Sequence, residues 1–102
     1  MLAHERTGSG PPLVLLHGIG LDRACWEPVL GLLEPERDVL AVDLPGFGGS
    51  AMVGGTPTIA ALASAVGALV RALGLAPPHV AGNSLGGAVA LELGARGEAR
   101  TC

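Results

Sequence analysis

A chain of 102 residues has room for one small domain, and with 49% apolar residues but only 2% aromatic ones its core must be aliphatic. The net charge of −3 sets nine acidic residues against six scattered arginines, which leaves no basic face and argues against nucleic acid as a partner. Lysine is absent, which excludes a Walker A lysine and any Schiff-base chemistry.

The N-terminal stretch from Met1 to Arg6 has no apolar run behind a basic start, so it reads as no signal peptide; residues 2–6 read as the stub of a strand. Leu13–Leu16 is the first continuous apolar run, the pattern of a parallel strand covered on both faces. His17-Gly18-Ile19-Gly20 leaves it. Asp22 is placed to cap a helix from Arg23 to about Leu33, with Trp26, Leu30 and Leu33 on one face. Val39–Val42 is the second apolar run, and the segment Asp43-Leu44-Pro45-Gly46-Phe47-Gly48-Gly49-Ser50 follows it. A longer helix starts near Thr56 or Thr58, carries Ile59, Leu62, Val66, Leu69, Val70 and Leu73 at helical spacing, and stops at Gly74 before Pro77-Pro78. Its apolar stretch, Ile59 to Val70, is shorter than the ~20 residues that cross a bilayer. His79–Gly82 is the third strand run, and a last helix runs from Leu85 to about Arg96.

Strands alternating with helices predict an α/β fold, a parallel sheet with helices on both faces. Right-handed crossovers bring the C-terminal ends of such strands to one edge, where ligands bind. Cys25 and Cys102 stand far apart without companions, so they predict neither a zinc site nor a disulfide framework, and they fit a reducing compartment. The reading is a soluble, cytoplasmic protein with no membrane partner, metal or cofactor.

The chemistry concentrates at Gly82-Asn83-Ser84-Leu85-Gly86. Gly-x-Ser-x-Gly is a weak signal by itself in a chain holding 17 glycines. Its context sharpens it, because it joins a strand run to a helix run. A serine at so sharp a turn is strained, and side chains at Gly82 and Gly86 would collide with the closely approaching chain. The turn presents the Ser84 hydroxyl at the sheet edge, where the helix N-terminus also points its free N–H groups. The N–H of Leu85 is then available to an oxyanion.

Leu15–Gly20, Asp43–Ser50 and Val80–Gly87, in that order and spacing, together resemble the α/β-hydrolase superfamily, and the resemblance spans about residues 11 to 97. It implies Ser84 as nucleophile and the backbone N–H groups of Leu85 and Ile19 as the oxyanion hole. His17, Gly18, Gly20, Asp43, Gly82 and Gly86 belong to its structural motifs. It also places the strand ending at Leu16 beside the strand ending at Gly82. A serine at the elbow separates the chain from the dehalogenases and epoxide hydrolases of this fold, which use Asp. Asn83 stands where His is common, as in some carbon–carbon bond hydrolases and some plain esterases.

The family order is nucleophile, acid, histidine. After Ser84 the chain offers only Glu92, expected on the solvent face of a helix, and Glu98. The expectation is therefore a single partial domain over residues 1–102, with the family's first strand ahead of Leu2 and everything after the nucleophile helix outside it. It would hydrolyse ester-like small-molecule acyl substrates by family, but be nearly inactive alone, with an unpaired edge at the strand ending near Asn83. His17, Asp43 and Ser84 follow the His–Asp–Ser order of trypsin-like enzymes, yet His17 matches the residue that shapes the oxyanion loop. His79 should start a strand and His4 lie at the surface, while Asp43 should anchor its loop by hydrogen bonds. Three alternatives remain: a non-catalytic binding module of the same fold, an inactive product of a truncated gene, and a nucleotide site at Gly46-x-Gly48-x-x-Ala51, against which stand the missing helix and acidic residue.

Overall fold

A computed structural model describes residues 1–52, 57–75 and 77–102. Strands β1 (His4–Gly8), β2 (Pro12–Leu16), β3 (Asp38–Val42) and β4 (His79–Gly82) form one sheet in the order β1-β3-β2-β4. β2 runs parallel to both neighbours, with Leu16 opposite Val42 on one side and Gly82 on the other, so these strands finish level at one edge. The adjacency of the strands ending at Leu16 and Gly82 follows as expected.

β1 departs from the wholly parallel expectation. It spans His4–Gly8 rather than residues 2–6, and it pairs antiparallel with β3, His4 facing Val42 and Gly8 facing Asp38. Only Ser9, Gly10 and Pro11 separate it from β2, too short a link for the crossover that a parallel neighbour needs. The link passes under the start of β3. A β-carbon on Gly8 (φ +84°) would overlap the carbonyl oxygen of Arg37, and one on Gly10 (φ +125°) that of Glu36. The sheet is therefore mixed, with an antiparallel edge.

Alternate strand residues feed two cores. Val14, Leu16, Leu40, Val42 and Val80 face one way, onto α2 (Ile59–Ala72) and α3 (Leu85–Ala95). Leu15, Val39 and Ala41 face the other, where Leu30 of α1 (Glu27–Leu33) and the half-buried Trp26 close over them. Helices thus cover both faces of the sheet. The strand residues of both cores are essentially inaccessible, which is why their runs are continuous rather than alternating.

The helix ends follow local chemistry. Asp22 accepts a hydrogen bond from the N–H of Ala24 (2.9 Å), but the turn it caps is a 3-10 segment, Arg23–Trp26, before α1 begins. Pro28, lacking an N–H, sits in the first turn of α1, where no intrahelical bond is lost. Thr58 caps α2 by accepting from the N–H of Ala61 (3.0 Å), and the alternative start at Thr56 lies outside the described residues. Glu92 forms a helical pair with Arg96 (2.9 Å), as a solvent-side residue should. The free edge of β4 is partly occupied. Thr101 forms an isolated parallel bridge with His79, its carbonyl accepting from the N–H of Val80 (2.9 Å).

Candidate active site

The turn between β4 and α3 is built from backbone contacts. Asn83 donates its N–H to the carbonyl of Leu16 (3.1 Å) and so extends the β2–β4 pairing past the strand end. The chain then reverses at Ser84, which has φ 56° and ψ −115° and is the one described non-glycine residue with positive φ. A backbone held there costs about 1–3 kcal/mol and persists only where its surroundings enforce it. Those surroundings are visible. The N–H of Gly86 bonds the carbonyl of Asn83 (3.0 Å) and the N–H of Ala88 bonds that of Ser84 (3.0 Å). A β-carbon on Gly82 would overlap the carbonyl of Gly86, and one on Gly86 would overlap the carbonyl of Leu16 at the end of β2. Gly86 thus gives clearance to the neighbouring strand, not to Gly82. Ser84 is exposed, and its side chain makes no capping bond to α3.

The loop after β2 lies against this turn. A β-carbon on Gly18 would sit 3.3 Å from the carbonyl oxygen of Asn83 and 3.4 Å from Cβ of Ser84. His17 holds the loop. Its ring is fully buried, and Nε2 accepts the N–H of Leu44 (2.9 Å) while Nδ1 lies 2.8 Å from the carbonyl of Gly18. A backbone N–H can only donate, so Nε2 carries the lone pair and Nδ1 the proton, which it donates to Gly18. Phe47 packs edge-on against the ring, with centroids 5.3 Å apart. Both nitrogens are engaged, so His17 has no lone pair left for a serine proton. His79 bonds Thr101 (2.6 Å) at the start of β4, the end away from Ser84, and His4 bonds the carbonyl of Leu2 (2.9 Å).

The loop after β3 closes on Asp43. Its carboxylate is 1% exposed and accepts the N–H groups of Arg23 (2.7 Å) and Gly49 (2.8 Å), and it pairs with the Arg23 guanidinium. Burial pushes the carboxyl up, but the two N–H donors and the Arg23 charge together outweigh it and hold Asp43 below the usual carboxylate range. Ser50 donates to the Asp43 carbonyl (2.6 Å) and accepts the N–H of Ala3 (2.9 Å), which ties in the residues ahead of β1. Asp43 is an anchor, as expected. The partner Arg23 was read only as a helix start. The clue to it was the anchoring role expected of Asp43, since a carboxylate that holds a loop needs donors or a cation. Gly48 lies on the carboxylate with no room for a β-carbon, and no helix begins within residues 43–52, so this loop cannot cradle a dinucleotide phosphate.

Between these loops opens a cleft of about 500 Å³, bounded by Ile19, Phe47, Met52, Ile59, Leu62 and Leu85. Ile19, from the loop after β2, and Leu85, the first residue of α3, both line it. Sequence reading missed the cleft walls. A signal existed in Phe47, the chain's single phenylalanine, set in a loop of small residues. Among the described residues, no three His, Cys, Asp or Glu side chains gather as a metal site would require.

The model of the alpha/beta hydrolase family matches residues 13–101. The chain belongs to this family. Its curated relatives include the pimeloyl-[acyl-carrier protein] methyl ester esterase of Aeromonas hydrophila, 42% identical over 87% of this chain and 34% of that protein. Another is the dihydrolipoyllysine-residue acetyltransferase component of an acetoin cleaving system from Pseudomonas putida, 44% identical over 82% of this chain and 23% of that protein. Among solved structures, the enol-lactonase of Burkholderia xenovorans LB400 superposes with a TM-score of 0.91 at 31% identity, covering 98% of this chain and 40% of that one. This hydrolase-family chain thus spans about a quarter to a third of the length of these curated relatives.

Proposed function

We propose that these residues form the nucleophile half of a serine hydrolase that cleaves esters or related acyl bonds of small molecules. The observation that carries this reading is the strained Ser84 (φ 56°, ψ −115°), set where the Gly18–Ile19 loop and the first turn of α3 converge. In this reading Ser84 Oγ attacks the carbonyl carbon, and the bond to the leaving alcohol breaks. The N–H groups of Ile19 and Leu85 hold the carbonyl oxygen as it gains charge. Leu85 is the first residue of α3, where an N–H has no intrahelical acceptor. The hydroxyl proton passes to a base and on to the leaving alcohol, and water then releases the acyl group by the reverse steps.

The base and its orienting carboxylate lie outside these 102 residues. His17 is committed to Leu44 and Gly18, His79 sits at the far end of β4, and Asp43 is spent on Arg23 and Gly49. We read the chain as part of a single domain, consistent with the 34% of the esterase's length that it covers. Alone it should reach at best the ~10³–10⁴-fold acceleration that an oxyanion hole and binding give without a triad. Two exposed free thiols, Cys25 and Cys102, support a reducing, cytoplasmic location.

A fluorophosphonate probe tests the reading on the whole gene product. The expected result is one covalent adduct on Ser84, absent from Ser84→Ala. A folded protein that takes no label would favour a binding module that has lost catalysis.

A further inference from the structure

We propose that Arg23 is a positioning residue: its bonds to Asp43 hold the far end of the loop that carries the Ile19 N–H, and so set how well that N–H meets the oxygen that gains charge. This rests on Ser84 as nucleophile with Ile19 and Leu85 as the oxyanion donors, and it adds a residue that touches neither nucleophile nor substrate.

The loop Gly18–Asp22 is tied at both ends to one dipeptide, Asp43-Leu44. At the near end, Nε2 of His17 accepts the N–H of Leu44 (2.9 Å). At the far end Arg23 binds Asp43 through its backbone and its side chain. Its N–H donates to Oδ1 (2.7 Å), and its guanidinium pairs with Oδ2. The N–H of Gly49 shares that second oxygen (2.8 Å). Between the two ties the chain makes a turn, with Leu21 donating its N–H to the carbonyl of Gly18 (3.2 Å) and Gly20 at φ +78°. Ile19 stands inside this turn, so its N–H moves with the loop as a unit. There is little slack toward the nucleophile, since a β-carbon on Gly18 would already sit 3.4 Å from Cβ of Ser84.

The guanidinium fixes the direction of the whole tie. Any residue at position 23 offers a backbone N–H, but that N–H is held only while Oδ1 points at it. A carboxylate turns about its own bond unless its other oxygen is also held, and on Oδ2 the guanidinium is the charged donor. Glutamine at position 23 keeps the N–H and removes the charge. The far end of the loop then relaxes, and the Ile19 N–H drifts from the place where the oxyanion forms. Outright loss of such a donor costs about 10²–10³ in kcat, so a displaced one should cost about tenfold. Substrate in its ground state draws little from the donor, which leaves KM nearly unchanged.

The test is hydrolysis of p-nitrophenyl acetate and its thionoacetate analogue by the whole gene product, with kcat expressed per Ser84 that takes a fluorophosphonate. Arg23→Gln should lower kcat on the oxygen ester at least about tenfold, with KM within about twofold. On the thiono ester the loss should stay under about threefold, because sulfur is the weaker acceptor and draws less from the donors. Arg23→Lys returns a charge without the planar fork and should recover part of the loss. Arg6→Gln breaks the Arg6–Asp38 pair between β1 and β3 and should change neither ester. Parent-like kcat in Arg23→Gln, or equal losses on the two esters, overturns the proposal while Ser84 still takes its label. Should thermal melting show Arg23→Gln unfolded, Arg23→Lys decides by the same two-ester comparison. No label on Ser84 of the parent removes the nucleophile itself, and this inference with it.

Discussion

Asp43 and Ser84 follow the two parallel strands that flank β2 to the same sheet edge, yet their loops are built on opposite principles. Around Asp43, each carboxylate oxygen accepts a backbone N–H, the charge is paired, and the side chain is withdrawn from solvent. Around Ser84, backbone contacts force an unfavourable conformation and leave the side chain exposed. One loop gathers stabilising interactions and the other stores strain. The fold can hold Ser84 in place because it is rigid at Asp43, at His17 and along β2, none of which has to react.

That division can be broken experimentally. The largest effect belongs to Ser84→Ala. In the whole gene product it should lower ester hydrolysis by at least about a thousandfold, since loss of a triad serine costs roughly 10⁶ in kcat elsewhere. Stability should stay within about 0.5 kcal/mol, as for an exposed substitution. Retained activity would sink the division at once.

Asp43→Ala should do the reverse, removing about 2–3 kcal/mol of stability in urea unfolding because buried donors lose their acceptor. The same group sets an acid limb. Its folded pKa is depressed, so its contribution is complete above the unfolded value of about 3.9 and disappears as pH falls through the folded value. The parent protein should lose this stability below about pH 4, and Asp43→Asn should lack that part of the decline. An identical acid limb in both would show that Asp43 is not the anchor.

Two adjacent glycines sharpen the comparison within the elbow. Gly86→Ala should cost about 1–3 kcal/mol, because its β-carbon meets the backbone of β2. Gly87→Ala should be neutral or stabilising, since its nearest neighbour would be 3.4 Å away and alanine favours the helix. Equal effects would mean that clearance is not what the elbow requires. The smallest change, Thr58→Ala, removes only a helix cap and should cost about 1 kcal/mol.

The strands β2, β3 and β4 were legible because burial on both faces writes itself as an unbroken apolar run. β1 was legible only as a stub at residues 2–6, because none of its residues is buried and its direction depends on how tightly Gly8 and Gly10 pass Arg37 and Glu36. The 3-10 turn before α1 was hidden too, since Asp22 caps either kind of helix. At the site, the elbow and its glycines were readable from spacing, while the Asp43–Arg23 pair and the Leu44 N–H on His17 were not. Both arise where separate loops meet, and neither has any periodicity along the chain.

The His17 ring has a spectroscopic consequence. Its Nδ1 proton is sealed from solvent between Gly18 and Phe47, with the opposite nitrogen occupied by Leu44. Such a proton should exchange slowly enough to appear as a discrete downfield imidazole resonance. That single line would follow the seating of the Gly18–Ile19 loop in solution, with no substrate present.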